Sequence, residues 1–474
     1  MKKKFVYVDD IEYPDLKGMR VMLITPNTFY RKKAFALGMA YIATAMQRCN
    51  IDVQVMSCNA WSYDDIEIAR IIIESGITIF GIGGIYPMIR EVVRICSLIR
   101  RCVPNATIIL GGPIVSPTPE FILKITGADI GVIEEADFTI PYLMRELAGD
   151  RNLEDVPGLA FFENGEFIET GPPTVPKEIT KEEIGWPAWD LFPIEHYITA
   201  PHYYPIKQTD RVLSIVTGRG CPYSCNFCYR VCAFRPRPTD DILDEMEYLI
   251  KRYNLNAFHF LDDLVMRNEK KITELCDGII NRKIKIRFQV TGRINIVNRR
   301  IIQKLKDAGC ISIFYGVESG DENILKYMRK EIKIEKIYEA VAMTREFGLF
   351  CKYGFMFGQP HENEETLRKT VEMIKKLSYG EFRKQKIFGC IPFPGTELYD
   401  WCLKTGRLID AEDFYNRYVC QDWSLVQFPV NMTDLPDEKA IELFYKSNEE
   451  LSNFFDKIIF REWGKVFRGN TLNH

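Results

Sequence analysis

The chain has 474 residues, 46% hydrophobic and 27% charged, which is a globular composition at a length that implies two or three domains. A net charge of −3 gives no basic field for nucleic acid, and no apolar run is long enough to span a bilayer. Fourteen cysteines, mostly scattered singly, fit a reducing cytoplasm better than a disulfide framework, and FVYVDD after MKKK is too polar for a signal peptide.

Residues 1–150 read as one α/β unit. Strand-like runs at Val21–Thr25, Val53–Met56, Ile77–Ile82, Thr107–Leu110 and Ile130–Ile133 alternate with helical patterns, the first carrying Ala36, Met39, Ala40, Ala43 and Met46 on one face. This alternation predicts a doubly wound, Rossmann-like parallel sheet with a crevice at the carboxyl ends of its strands. Gly83 and Gly84 end the third strand, and Gly111 and Gly112 end the fourth. Such glycines let a flat or phosphorylated ligand approach closely, although many doubly wound sheets carry glycine there without one.

A connector spans residues 151–205. Asn164–Gly165 between alternating apolar residues predicts a hairpin, and Pro172, Pro173, Pro176, Pro187 and Pro193 then keep the chain extended. Trp189, Phe192 and Tyr197 are expected to pack across a domain interface.

Residues 206–404 alternate again. Strands are expected at Val212–Thr217, Ala257–Leu261, Ile286–Val290, Ser312–Val317, Lys352–Phe357 and Gln385–Ile391, with amphipathic helices such as Asp240–Arg252 and Ile334–Phe347 between them. Six βα units predict a partial (β/α)6 barrel with its chemistry at the carboxyl ends of the strands. Just after the first strand, TGRGCPYSCNFCYR places Cys221, Cys225 and Cys228 at a spacing of three residues and then two. Three thiolates can hold a [4Fe–4S] cluster while leaving one iron open to a ligand that is not protein. Zinc would want a fourth ligand at motif spacing; Cys232 is near, but no second paired motif follows. Polar residues end the later strands: Asp262 and Asp263 the second, Arg293 the third, Glu318 and Ser319 the fourth, and Gly358–Gln359–Pro360 the fifth. Helix capping before Glu322–Met328 is the structural alternative for Ser319 and Asp321.

Residues 405–474 read as a helical C-terminal region, with one long amphipathic helix over Asp437–Phe460. Its aromatics, Phe414, Tyr415, Tyr418, Trp423, Phe428, Phe444, Phe454 and Phe455, suit either a third small core or a lid over substrate.

The CxxxCxxC spacing, with Phe227 before the last cysteine, resembles the signature of the radical S-adenosylmethionine (SAM) enzymes. The order LGMAYIATAMQRCNIDVQV, GIGG, IILGGPIVSP and ADIGVIEEADFTIPYL is similar to the cobalamin-binding domain of the cobalamin-dependent branch of that family. Two departures stand out: Glu134, Glu135, Ala136 and Asp137 replace the usual GEGE, and Ile114 stands where a histidine commonly follows GGP. The resemblance implies SAM chelated to the open iron, its ammonium held by Asp262 and Asp263, its ribose or methionyl part by Glu318 and Ser319, its carboxylate by Arg293 and its adenine by Phe227 and FMFGQP. It implies cobalamin against Gly83, Gly84, Gly111, Gly112 and Glu135. Of five histidines none lies in the first 195 residues, so cobalamin there takes no histidine of its own domain, and Tyr86 and Met88 are the expected shelter of its lower face.

The implied reaction is methyl transfer to an unactivated carbon by way of methylcobalamin and a 5′-deoxyadenosyl radical, two SAM molecules being used per product. Ring formation or oxidative rearrangement with the same cofactors is the alternative. The implied partners are a peptide, protein side chain or small molecule as substrate and an electron donor such as flavodoxin or ferredoxin.

Overall fold

The computed structural model describes residues 5–9, 11–27, 35–200, 205–230, 232, 234–378, 384–419 and 428–469. The N-terminal sheet contains β1 (Arg20–Thr25), β2 (Asp52–Ser57), β3 (Ile79–Gly83), β4 (Thr107–Gly111), β5 (Ile130–Val132), β6 (Leu159–Glu163) and β7 (Glu166–Glu169), in the order β2-β1-β3-β4-β5-β6-β7. The first five are parallel, and β6 and β7 are antiparallel. The hairpin expected in the connector is therefore present, with Asn164 and Gly165 both at positive φ, and it extends the N-terminal sheet rather than standing apart. Helices cover both faces because each apolar stripe needs a partner. Leu37–Arg48 and Thr139–Ala148 lie on one face, and Asp65–Ser75, Ile89–Cys102 and Pro119–Thr126 on the other. Local chemistry sets their ends: Asp64 and Glu67 form a capping box, and Gly76 closes that helix at φ +61°.

The connector joins the two domains by packing, as its aromatics predict. Trp189, Phe192 and Tyr197 are buried in a core shared with both sheets, and Phe35 stacks on Trp189 at 4.9 Å. Trp189 Nε1 donates to Glu245 at 3.2 Å and Tyr197 Oη to Asn59 Oδ1 at 2.7 Å, tying the connector to each domain in turn.

The second sheet is the expected open half-barrel. It consists of β8 (Val212–Ile215), β9 (Ala257–Phe260), β10 (Arg287–Gly292), β11 (Cys310–Glu318), β12 (Phe350–Phe357) and β13 (Phe388–Gly389), all parallel and in sequence order. One set of alternating side chains, including Phe258, Phe288, Tyr315 and Phe355, is buried against the outer helices. The other set faces the lumen. A bulge between Gly316 and Glu318 puts Glu318 at φ +73°, which turns its side chain over the end of the sheet.

The aromatic tail forms neither a third core nor a separate lid among the described residues. Phe414 and Tyr418, on the helix Ala411–Val419, are buried against the N-terminal domain. Phe444, Leu451 and Phe455, on Asp437–Gly469, are buried in the barrel core. Trp423 lies outside the described residues. No helix among them is long and apolar enough to cross a membrane.

Candidate functional site

The cysteine loop follows β8 and is held on a turn of the barrel. Asn226 donates through Nδ2 to the Tyr327 carbonyl at 3.2 Å, and its own carbonyl accepts from Leu398 N at 3.3 Å. Arg329 reaches the Ser224 carbonyl at 3.3 Å while gripping Glu397 through two bonds of 2.6 and 2.5 Å. The Arg293 guanidinium lies 3.5 Å from the ring centroid of Tyr223. Thus Cys221, Cys225 and Cys228 line one cavity of 960 Å³, together with Cys232. Burial raises the Cys221 and Cys228 thiols, and repulsion from Asp263 and from the neighbouring thiols adds to it, pushing Cys228 up to about 12. No three His, Cys, Asp or Glu side chains among the described residues close on a single-ion point. The triplet is spread around a cavity.

The structure divides the residues expected to hold SAM into two groups. Asp262 is buried and turned inward: it accepts from Thr217 N at 2.9 Å, Thr217 Oγ1 at 2.7 Å and Arg267 at 2.7 Å. That network braces the end of β8. Ser319 is also held within the fold. It is 0% exposed and its Oγ accepts from Asp321 N at 3.2 Å, while Asp321 caps the helix Glu322–Tyr327. The other residues remain at the mouth. Asp263 stands at the mouth, where partial desolvation by the surrounding walls raises its carboxyl. Arg293 Nε is buried with no hydrogen-bond partner, an orphan donor beside the cysteine loop. Glu318 pairs with Lys330 at 3.1 Å, and that ammonium lies 5.9 Å from the Phe227 ring. After β12, Gly358 adopts φ +123°, and the Gly358 and Gln359 amides both donate to Glu362 at 2.7 and 2.8 Å.

A second cavity, of 460 Å³, opens at the carboxyl ends of β1, β3, β4 and β5, where the strand order reverses. Gly83, Gly84, Gly111, Gly112 and Met88 line it, with Glu135 and Asp137. Gly112 is obligatory for this wall: it sits at φ +89°, and a Cβ there would lie 2.9 Å from the Gly84 carbonyl oxygen. Tyr86 does not reach the cavity. It is buried on the far side of the loop, 5.3 Å from the rings of both Phe414 and Tyr418, because the C-terminal helix offers it an apolar partner. No described histidine lines the cavity; His196 packs on Trp61 at 3.8 Å, and His202 and His474 lie outside the described residues.

Residues 215–374 match the radical SAM superfamily, and residues 30–143 match the B12 binding domain. An uncharacterised methyltransferase of Pyrococcus horikoshii is 27% identical, over 83% of this chain and 85% of its own length. The cytidylyl-2-hydroxyethylphosphonate methyltransferase of Streptomyces wedmorensis is 22% identical over 91% and 90%. Among solved structures, the radical SAM methyltransferase TsrM from Kitasatospora setae, bound to tryptophan substrate and a SAM analogue, superposes with a TM-score of 0.67. It is 18% identical, covering 81% of this chain and 77% of that one, and it has also been solved with cobalamin and a [4Fe–4S] cluster bound. The chain joins a B12 binding domain to a radical SAM domain, the pairing seen in cobalamin-dependent radical SAM enzymes.

The residues present fit these groups. For the cluster, Cys221, Cys225 and Cys228 line one cavity. For cobalamin, the glycine wall faces a second wall of Val216, Arg219 and Cys232 from the radical SAM domain. Arg219 of this second wall, and Arg235 beside it, escaped the sequence analysis. Arg219 binds Glu135 at 2.8 Å and Asp137 at 2.5 and 3.0 Å, and Arg235 also pairs with Glu135. Glu135 and Asp137 of the EEAD departure from GEGE are thus an acidic anchor between domains, they and the two arginines being at most 14% exposed. A signal existed, since basic Arg219 immediately precedes the cysteine loop, but its partners lie more than eighty residues earlier.

Proposed function

We propose that this protein is a C-methyltransferase acting on an unactivated carbon. The observation that carries the reading is that Cys232 lines both cavities, so the cysteine loop and the glycine-walled crevice open towards one another. The methyltransferases among its relatives support the same reading. Bound together, these cofactors supply a radical able to remove an unactivated hydrogen and a methyl carrier.

The chain's own residues position and enclose. Asp263 is the remaining acid for the SAM ammonium, and the orphan Arg293 Nε is aimed to donate to the SAM carboxylate. Gly83, Gly84, Gly111 and Gly112, with Met88, line the cavity that would seat the corrin. Arg219 locks the seat to the cysteine loop. An external one-electron donor such as flavodoxin or ferredoxin would approach the cysteine-loop cavity, which Cys228 lines. The test is stoichiometry with methyl-labelled SAM. Each labelled product should accompany one S-adenosylhomocysteine and one 5′-deoxyadenosine. A product of unchanged carbon count would overturn methyl transfer in favour of ring formation or rearrangement.

A further inference from the structure

The cysteine loop is pinned to the B12 binding domain at both of its ends. The first pin is Arg219, just before the loop, on Glu135 and Asp137 after β5. The second is Tyr229, the residue after Cys228. Its hydroxyl comes close enough to Ser116 and Glu134 to be influenced by both. Ser116 belongs to the turn that leaves the glycine wall after β4. Its Oγ donates to the Gly112 carbonyl at 3.4 Å and accepts from Glu134 N at 2.8 Å, and Ile114 N donates to the Gly84 carbonyl at 3.2 Å. Ile114 and Val115 are buried in the domain core, so this turn moves with the wall.

A glycine of the barrel makes the slot for the Tyr229 ring. Gly395 follows β13, lines the cavity shared by the three cysteines and adopts φ +83°. A Cβ there would lie 2.6 Å from Tyr229 Cε2 and 3.1 Å from Pro117 Cβ. Ring, proline and glycine backbone therefore meet at one point. The chain around Gly395 is itself held. Phe393 packs on Tyr86 with ring centroids 6.0 Å apart, and Thr396 caps the helix Glu397–Lys404 by accepting from Tyr399 N at 3.2 Å. One short segment of the barrel thus touches the loops after β3 and β4 of the cobalamin cavity and the cysteine loop as well. A loop held at one end can swivel; held at both, it has one orientation.

We propose that Tyr229 is a positioning residue: wedged between Gly395 and Pro117, its ring sets the separation of the cluster from the corrin. The inference rests on the reading above that the two cavities serve one reaction. A radical generated at one cavity has to meet a methyl group carried at the other, and such steps are steeply sensitive to placement.

The full chain is loaded with cluster and cobalt(II) cobalamin. The cobalt paramagnetic resonance is recorded with the cluster oxidised, when it is diamagnetic, and again with it reduced. In the native protein reduction should add one defined spin–spin interaction. Tyr229→Ala and Tyr229→Leu should retain both cofactors, read by iron content and corrin absorption, yet give a weaker interaction spread over a range. Tyr229→Phe should keep the native spectrum, because the ring and not the hydroxyl fills the slot. Gly395→Ala, which pushes the ring out, should match Tyr229→Ala, and the two together should change nothing more. An interaction unchanged in Tyr229→Ala or Tyr229→Leu would overturn the positioning role. So would the absence of any interaction in the native protein, or loss of a cofactor from all three Tyr229 variants. No substrate or turnover enters this measurement. A product of unchanged carbon count beside the expected spectra would therefore refute methyl transfer and leave the role of Tyr229 standing.

Discussion

Replacing Arg219 by methionine should destabilise the protein by about 3–5 kcal/mol at pH 7, the usual consequence of stranding a buried charge by removing its partner. The structure says which charge is stranded. Glu135 keeps Arg235, whereas Asp137, 6% exposed at its side chain, loses both of its guanidinium bonds of 2.5 and 3.0 Å. Burial alone would raise the Asp137 carboxyl, but the charge and hydrogen bonds of Arg219 outweigh it and hold the group below its ordinary value. In the native protein its contribution is therefore present above the unfolded carboxylate pKa of about 3.9 and is lost as pH falls through the lower folded value. Without Arg219 burial dominates and the folded pKa moves above the unfolded one. The sign reverses, and the variant loses stability as pH rises through that window. Urea unfolding at pH 4.5, 6 and 7.5 should show a deficit that widens with pH. Adding Asp137→Leu to Arg219→Met should recover much of the loss, because the stranded charge goes with it. A deficit under about 1 kcal/mol, the range of exposed pairs, would refute the anchor, as would one independent of pH.

Further outcomes follow from the same geometry. Cys221→Ala, Cys225→Ala and Cys228→Ala should each lose the cluster absorption and the cleavage of SAM to 5′-deoxyadenosine, read by iron content and product chromatography. Gly112→Ala should cost about 1–3 kcal/mol for its positive φ and reduce the cobalamin retained on gel filtration, since its new Cβ would meet the Gly84 carbonyl. Cobalt(II) cobalamin bound to the protein should give a paramagnetic resonance spectrum without splitting from an axial nitrogen, because no described histidine lines the cavity. Glu362 is fully buried, and its carboxyl is raised to about 8 by desolvation. A raised acid stabilises below its unfolded pKa and loses that contribution as pH climbs towards 8, so stability should fall from pH 5 to pH 8. Glu362→Gln should flatten that slope; an unchanged slope would refute the assignment.

Much of this was legible in the chain. Strand positions followed from apolar runs, and the cysteine triplet named its own chemistry by ligand count. The site was less legible where two groups compete for one role. Asp262 and Asp263 are adjacent in sequence, yet strand alternation sends one into a network with Thr217 and Arg267 and leaves the other at the mouth. Tyr86 and Met88 share a loop, and only the distant helix bearing Phe414 and Tyr418 decides that Tyr86 turns away. The partnership of Arg219 with Asp137 depends on how the domains dock, which local pattern does not encode.

The C-terminal segments bear on the order of events during synthesis. The N-terminal sheet is complete early, but the hydrophobic side of its Tyr86 loop waits for Phe414 and Tyr418, and the barrel waits for Phe444, Leu451 and Phe455. A nascent chain halted before residue 411 therefore presents bare apolar surface on both domains. Such a chain should be a preferred client of chaperones, released once the last helices have docked, and loading of oxygen-labile cofactors onto a half-made protein is correspondingly disfavoured.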